Sequence, residues 1–100
     1  MSVIRYFVPE DKDIEDKPNA FMIYKNTKDI RLNDIRENFP LPGEYHFRFK
    51  FDFKGKAYWL DFNKEETALP LFKDKHIIIK VNRISWNKPS LNIQNEEDFF

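Results

Sequence analysis

Two histidines are the first place to look for chemistry in this chain of 100 residues. His46 stands beside Arg48 and His76 beside Lys75, with no second histidine, cysteine or carboxylate at ligand spacing. A zinc site needs several such groups converging, so both histidines read as solvent-facing strand residues. Ser2, Ser85 and Ser90 lie near the two ends, outside the glycine-flanked turn that presents a nucleophilic serine. Glu65 and Glu66, or the run Asp11, Asp13, Glu15 and Asp16, suggest paired carboxylates or a calcium loop. A calcium loop needs a glycine at its turn and a distal glutamate; neither is there, which favours a solvated acidic loop. The only glycines, Gly43 and Gly55, are isolated and make no phosphate cradle. These residues predict no catalytic group, no metal site, no cofactor and no small-molecule substrate.

One other pattern invites a chemical reading. Tyr45, Phe47, Phe49, Phe51 and Phe53 alternate with His46, Arg48, Lys50 and Asp52, which is the period of a β-strand. Aromatic rings with interleaved cations suggest a single-strand nucleic-acid platform, in which rings stack bases and cations track phosphates. The phase opposes it, because rings fall on one face and cations on the other. Charge opposes it too, since 17 Lys and Arg balance 17 Asp and Glu. A binder of nucleic acid or a small ligand on the Arg48, Lys50 face is thus a third-ranked reading, and no nucleic-acid partner is expected.

The elements that would carry these residues fit one small α+β domain. Hydrophobic residues make up 41% and charged residues 34%, with 17% aromatic, enough apolar bulk for one core without staples. The absence of cysteine suits a reducing compartment, so the cytoplasm is expected. No apolar run approaches the roughly 20 residues of a membrane span, and the first residues lack a signal h-region. Ser2 to Val8 reads as a first strand closed by Pro9, and Glu10 to Lys17 as a charged exposed loop. Ala20 to Tyr24 is a second strand, apolar in both phases, which is unusual if a face or edge meets water. Leu32, Ile35 and Phe39 trace one stripe of a short helix that Asp29 or Thr27 caps and Pro40 and Pro42 end. The aromatic strand follows, then a turn at Lys54-Gly55-Lys56, a partner strand from Ala57 to Phe62, and a last strand from His76 to Ile84. Between these two strands Asn63 to Thr67 is a polar loop or a single helical turn, and Leu69 to Phe72 packs back. Ser85 to Phe100 reads as an extension or linker, leaving a domain at residues 1–84. Trp59 falls in the polar phase of its strand, so at least one apolar patch is expected at the surface.

Order and motifs together resemble the DIX domain family, the ubiquitin-like module of Dishevelled, Axin and the coiled-coil-DIX proteins. The resemblance runs from Val3 to Ile84. It is carried by the opening IRYFV, by Pro18 before the second strand, by the helix LNDIRENF, by the EYHFRFKF and AYWLDF strands, and above all by the acidic loop running into ALPLF (Ala68 to Phe72). It implies a ubiquitin-like mixed sheet of five strands with one short helix, in the order β-β-α-β-β-β. It further implies a non-enzymatic scaffold for signalling of the Wnt and cell-polarity kind, with no cofactor, whose partner is itself or another DIX domain.

In this family copies associate head to tail, the edge of the second strand pairing with the fourth strand of the next copy to build filaments. Carried over by position, the head surface is Lys56, Ala57, Tyr58, Trp59 and Asp61. The tail surface is Asn19, Ala20, Phe21, Met22 and Ile23. Several positions depart from the pattern: Asn19 stands where a tyrosine is frequent, Ala57 and Tyr58 where small residues and valine are, and Trp59 where a lysine is. Arg31 occupies a helix-cap position where threonine is common, which weakens the helix start by about 1 kcal/mol unless Asp29 compensates. The alternative is a ubiquitin-like adaptor that binds one different protein and never polymerises.

Overall fold

The structure is a computed structural model that describes residues 1–86. Its elements are β1 (Ser2–Phe7), β2 (Asn19–Ile23), α1 (Leu32–Asn38), β3 (Glu44–Phe53), β4 (Lys56–Leu60) and β5 (Ile77–Ser85), with short 3-10 turns at Pro9–Asp11 and Thr27–Asp29. One five-stranded sheet has the order β2-β1-β5-β3-β4. β1 runs parallel to β5, and every other neighbouring pair is antiparallel. The fold is the α+β, ubiquitin-like arrangement that the strand and helix order implied, a mixed sheet with one short helix. β5 continues one residue past the expected boundary at 84, and the rest of the expected extension, residues 87–100, lies outside the described residues.

Strand alternation sorts side chains onto two faces. On the helix side Ile4, Tyr6, Ile77, Ile79, Val81, Tyr45, Phe47 and Phe49 are all buried. α1 lays Leu32 and Ile35 onto them, fully enclosed, as the helical stripe requires. Phe39, the residue that caps the end of α1, lies edge-on to Tyr6, Phe21, Tyr45 and Phe47 at ring separations of 5.1, 5.9, 4.9 and 5.2 Å. Each such pair contributes about 0.5–1.5 kcal/mol beyond burial, so one ring ties α1 to three strands. Leu69 and Leu71 pack back against this core, as the sequence suggested.

The aromatic stripe overruns its cover. Phe51 is only half-buried and Phe53 is 52% exposed, the two rings stacking on each other at 6.3 Å. The face assignment holds for the stripe; burial does not, because β3 is longer than the helix lying over it. The β3–β4 hairpin turns on Lys54 and Gly55 alone, both at positive φ (50° and 80°), the type I′ geometry that matches strand twist. Gly43 has a different necessity: at φ 123° a Cβ there would sit 2.6 Å from the Ser85 carbonyl oxygen.

The helix start departs from expectation. Thr27 and Asp29 belong to their own 3-10 turn and do not cap α1. Arg31 holds the cap position in extended conformation, and Asp34, in the first turn, reaches back to accept its amide hydrogen at 2.9 Å. That reach is half of a capping box and places an acid at the positive end of the helix. Asp34 also accepts from Lys25 Nζ at 2.9 Å. Burial pushes its carboxyl up, but the Arg31 amide and then Lys25 outweigh this and hold it below the ordinary aspartate range.

A carboxyl depressed in the folded chain adds stability that is present above its unfolded pKa of about 3.9 and lost as pH falls through the lower folded value. Asp34→Ala is therefore expected to lower unfolding free energy by about 1 kcal/mol at neutral pH. In urea melts run across pH, the gap between variant and wild type should narrow below about pH 4.

Candidate protein-binding edges

β2 and β4 are the two outer strands, so each carries a row of backbone N–H and C=O groups that no strand of the described sheet meets. Proteins usually blunt such margins with charges, proline or bulges. Here β2 (NAFMI) carries neither charge nor proline, and β4 (KAYWL) only Lys56.

The five tail positions form β2 in full. Its pairing with β1 sets Ala20 and Met22 on the helix-free face and Phe21 and Ile23 on the helix face. Ile23 is buried, Phe21 half-buried against Tyr6 and Phe39, and Met22 is 46% exposed. Asn19 is already engaged: its amide donates to Asp13 at 2.8 Å. Tyr24, one residue past the strand, is 84% exposed. It was visible in the AFMIY run, but the family pattern alone did not place it on the tail.

Among the head positions Lys56, Ala57 and Tyr58 are exposed, Tyr58 by 45%. Trp59 is less exposed than its three neighbours. It does lie on the helix-free face, opposite Lys50, but it is half-buried and meets Phe7 edge-on at 5.8 Å. Lys50 and Lys80 hold their ammonium groups 5.8 and 6.0 Å from its ring, and Glu15 of the acidic loop forms an ion pair with Lys50. No spacing rule reveals a pair as remote in sequence as Phe7 and Trp59. The more exposed ring of β4 is accordingly Tyr58, and Trp59 packs against Phe7 on the opposite face of the strand.

Asp61, the last of the expected head positions, lies just beyond β4. It accepts from His46 Nε2 at 2.6 Å and from Arg48 Nε at 3.2 Å. The hydrogen bond with His46 leads in holding its carboxyl below the usual range, with Arg48 adding to it. His46 and Arg48 thus fix an acidic side chain just past the end of β4. Among the described residues no group of three or more His, Cys, Asp or Glu is placed to hold a metal ion. A shallow groove of about 500 Å³ between Asn26–Asp29 and Leu71, Asp74 and Lys75 sets two lysines against two aspartates and favours no charge of ligand. No helix among the described residues is long and apolar enough to cross a membrane. In a carboxylate NMR titration Asp61 should report a midpoint below the ordinary aspartate value, and His46→Ala should move that midpoint up.

With the geometry in hand, comparison with known proteins adds one finding. A search of curated proteins gave no match. A family model described as DIX domain matches residues 1–81, and this family is one of protein-interaction domains in signalling. That span holds β1 through β4, both unblunted margins, and β5 as far as Val81. The chain belongs to the DIX domain family.

Proposed function

We propose that this domain is a cytoplasmic scaffold that associates head to tail with itself or with another DIX domain, the β2 margin of one copy receiving the β4 margin of the next. The observation that carries this reading is the pair of margins at opposite ends of one sheet, neither blunted, one offering Met22 and the other Tyr58. Strand addition satisfies backbone groups on both sides, and side chains alternating across the new seam supply selectivity.

Strand directions support the geometry. Following the pairings through the sheet, β2 and β4 run in opposite senses. A copy shifted sideways without turning over therefore lays its β4 antiparallel to β2, with helices on the same side. The joined margins differ, so the contact is heterologous and does not close into a dimer. Twist of about 20–25° per strand rotates each successive copy by roughly 100–125°, which makes the assembly a helical filament. A single seam of this size is expected to be micromolar or weaker, about 6–8 kcal/mol, and many such links give the avidity that gathers signalling partners. Wnt or cell-polarity signalling is the setting this reading suggests, and the domain itself makes and breaks no covalent bonds.

Sedimentation velocity and light scattering test it. Wild type should grow with concentration, while Met22→Asp and Tyr58→Asp, both at exposed positions, should each remain monomeric with unchanged circular dichroism. An equimolar mixture of the two should stop at dimers, because one intact head can still meet one intact tail. A wild type that stays monomeric near millimolar concentration would sink polymerisation and leave the single-partner adaptor; a mixture no larger than either variant would sink the head-to-tail geometry.

A further inference from the structure

The helix-free face of the sheet has two unlike halves. Over β3 and β4 it is closed by Phe7, Trp59 and the Glu15–Lys50 ion pair. Over β2, β1 and β5 it is open. Val3 and Met22 stand directly opposite each other, 47% and 46% exposed, and Ile78 beside Arg5 is half-buried.

Two cations stand at this apolar field, Arg5 within it and Lys80 at its border with the closed half, the Lys80 ammonium 6.0 Å from the Trp59 ring. Arg5 and Lys80 lie on adjacent strands, and neither comes within ion-pair distance of a carboxylate among the described residues. Arg5 donates to Nδ1 of His76 at 2.7 Å. A guanidinium has no acceptor, so that ring nitrogen accepts and His76 is neutral. Burial, then the charges of Arg5 and Lys75, lower the His76 pKa in agreement. Arg5 is thus held in place without being neutralised.

The complement is present in the same chain. Beyond Trp86 the sequence contains Glu96, Glu97 and Asp98, followed by Phe99 and Phe100. We propose that residues 96–100 dock on this open half, their carboxylates against Arg5 and Lys80 and their phenylalanine rings over Val3, Met22 and Ile78. Length permits it. Ten extended residues from 87 to 96 span up to about 33–36 Å, whereas returning along β5 from Ser85 to Ile78 takes about 23 Å. Both components are needed: cations alone would hold the acids only at low salt, and an exposed apolar field alone would show no preference for an acidic segment.

The chain has no cysteine, so Gln94→Cys accepts a single nitroxide at a position outside the described residues. With the label attached, amide resonances of Val3, Met22 and Ile78 in dilute ¹⁵N-labelled chain should broaden severalfold more than those of the distant β3–β4 hairpin. Glu96→Gln, Glu97→Gln and Asp98→Asn made together, or about 0.5 M salt, should relieve most of that broadening. Broadening confined to the end of β5 would overturn the proposal. So would equal broadening when the nitroxide is on an unlabelled chain mixed with ¹⁵N chain, since the occupant would then be a second copy.

Discussion

One short helix has to cover a five-stranded sheet, and the rest of the architecture follows from that mismatch. α1 has seven residues and rises about 10 Å, while five strands at about 4.8 Å spacing measure roughly 19 Å across. The helix therefore serves the centre of one face. There it is anchored by Leu32, Ile35 and the Phe39 ring, and its start is closed by Asp34 in place of a capping side chain at Arg31. Whatever lies beyond its reach is handled by other means or left open.

What lies beyond reach is informative. At the far end of β3, Phe51 and Phe53 stack on each other for want of a cover. On the opposite face the acidic loop, unsuited to a core, crosses far enough for Glu15 to meet Lys50, and Phe7 and Trp59 close a small second cluster beneath it. Among the described residues no strand pairs with the outer side of either margin. A sheet whose outer strands carry almost no charge and no proline is a hazard for an isolated protein and an asset for one that binds through strand pairing. The same feature thus links an energetic shortfall in packing to the protein-interaction family to which the chain belongs.

The strands and the helix were legible because each carries its own period. Tyr45 to Phe53 alternates strictly, and Leu32, Ile35 and Phe39 follow a helical stripe, so local geometry suffices to name them. The apolar character of β2 in both phases was also readable, and it correctly signalled surface exposure at Met22 and Tyr24. The cap is not legible locally, because Thr27 and Asp29 have the right chemistry for one but are spent on an earlier turn. Val3 was overlooked, since nothing local says that a valine in a first strand faces outward until its partner, Met22, is known.

The sequence by itself determined the secondary elements, the facing of the aromatic strand and of the helical stripe, and the family resemblance, because these depend on neighbours within a few positions or on a run of residues read in order. Only the tertiary structure decided which strands became margins and which surfaces stayed open. Placing β5 between β1 and β3, turning Trp59 inward onto Phe7, and leaving Arg5 beside a neutral His76 are all pairings between distant residues. Such pairings are set by how the strands share one helix and one core, and no local period encodes them.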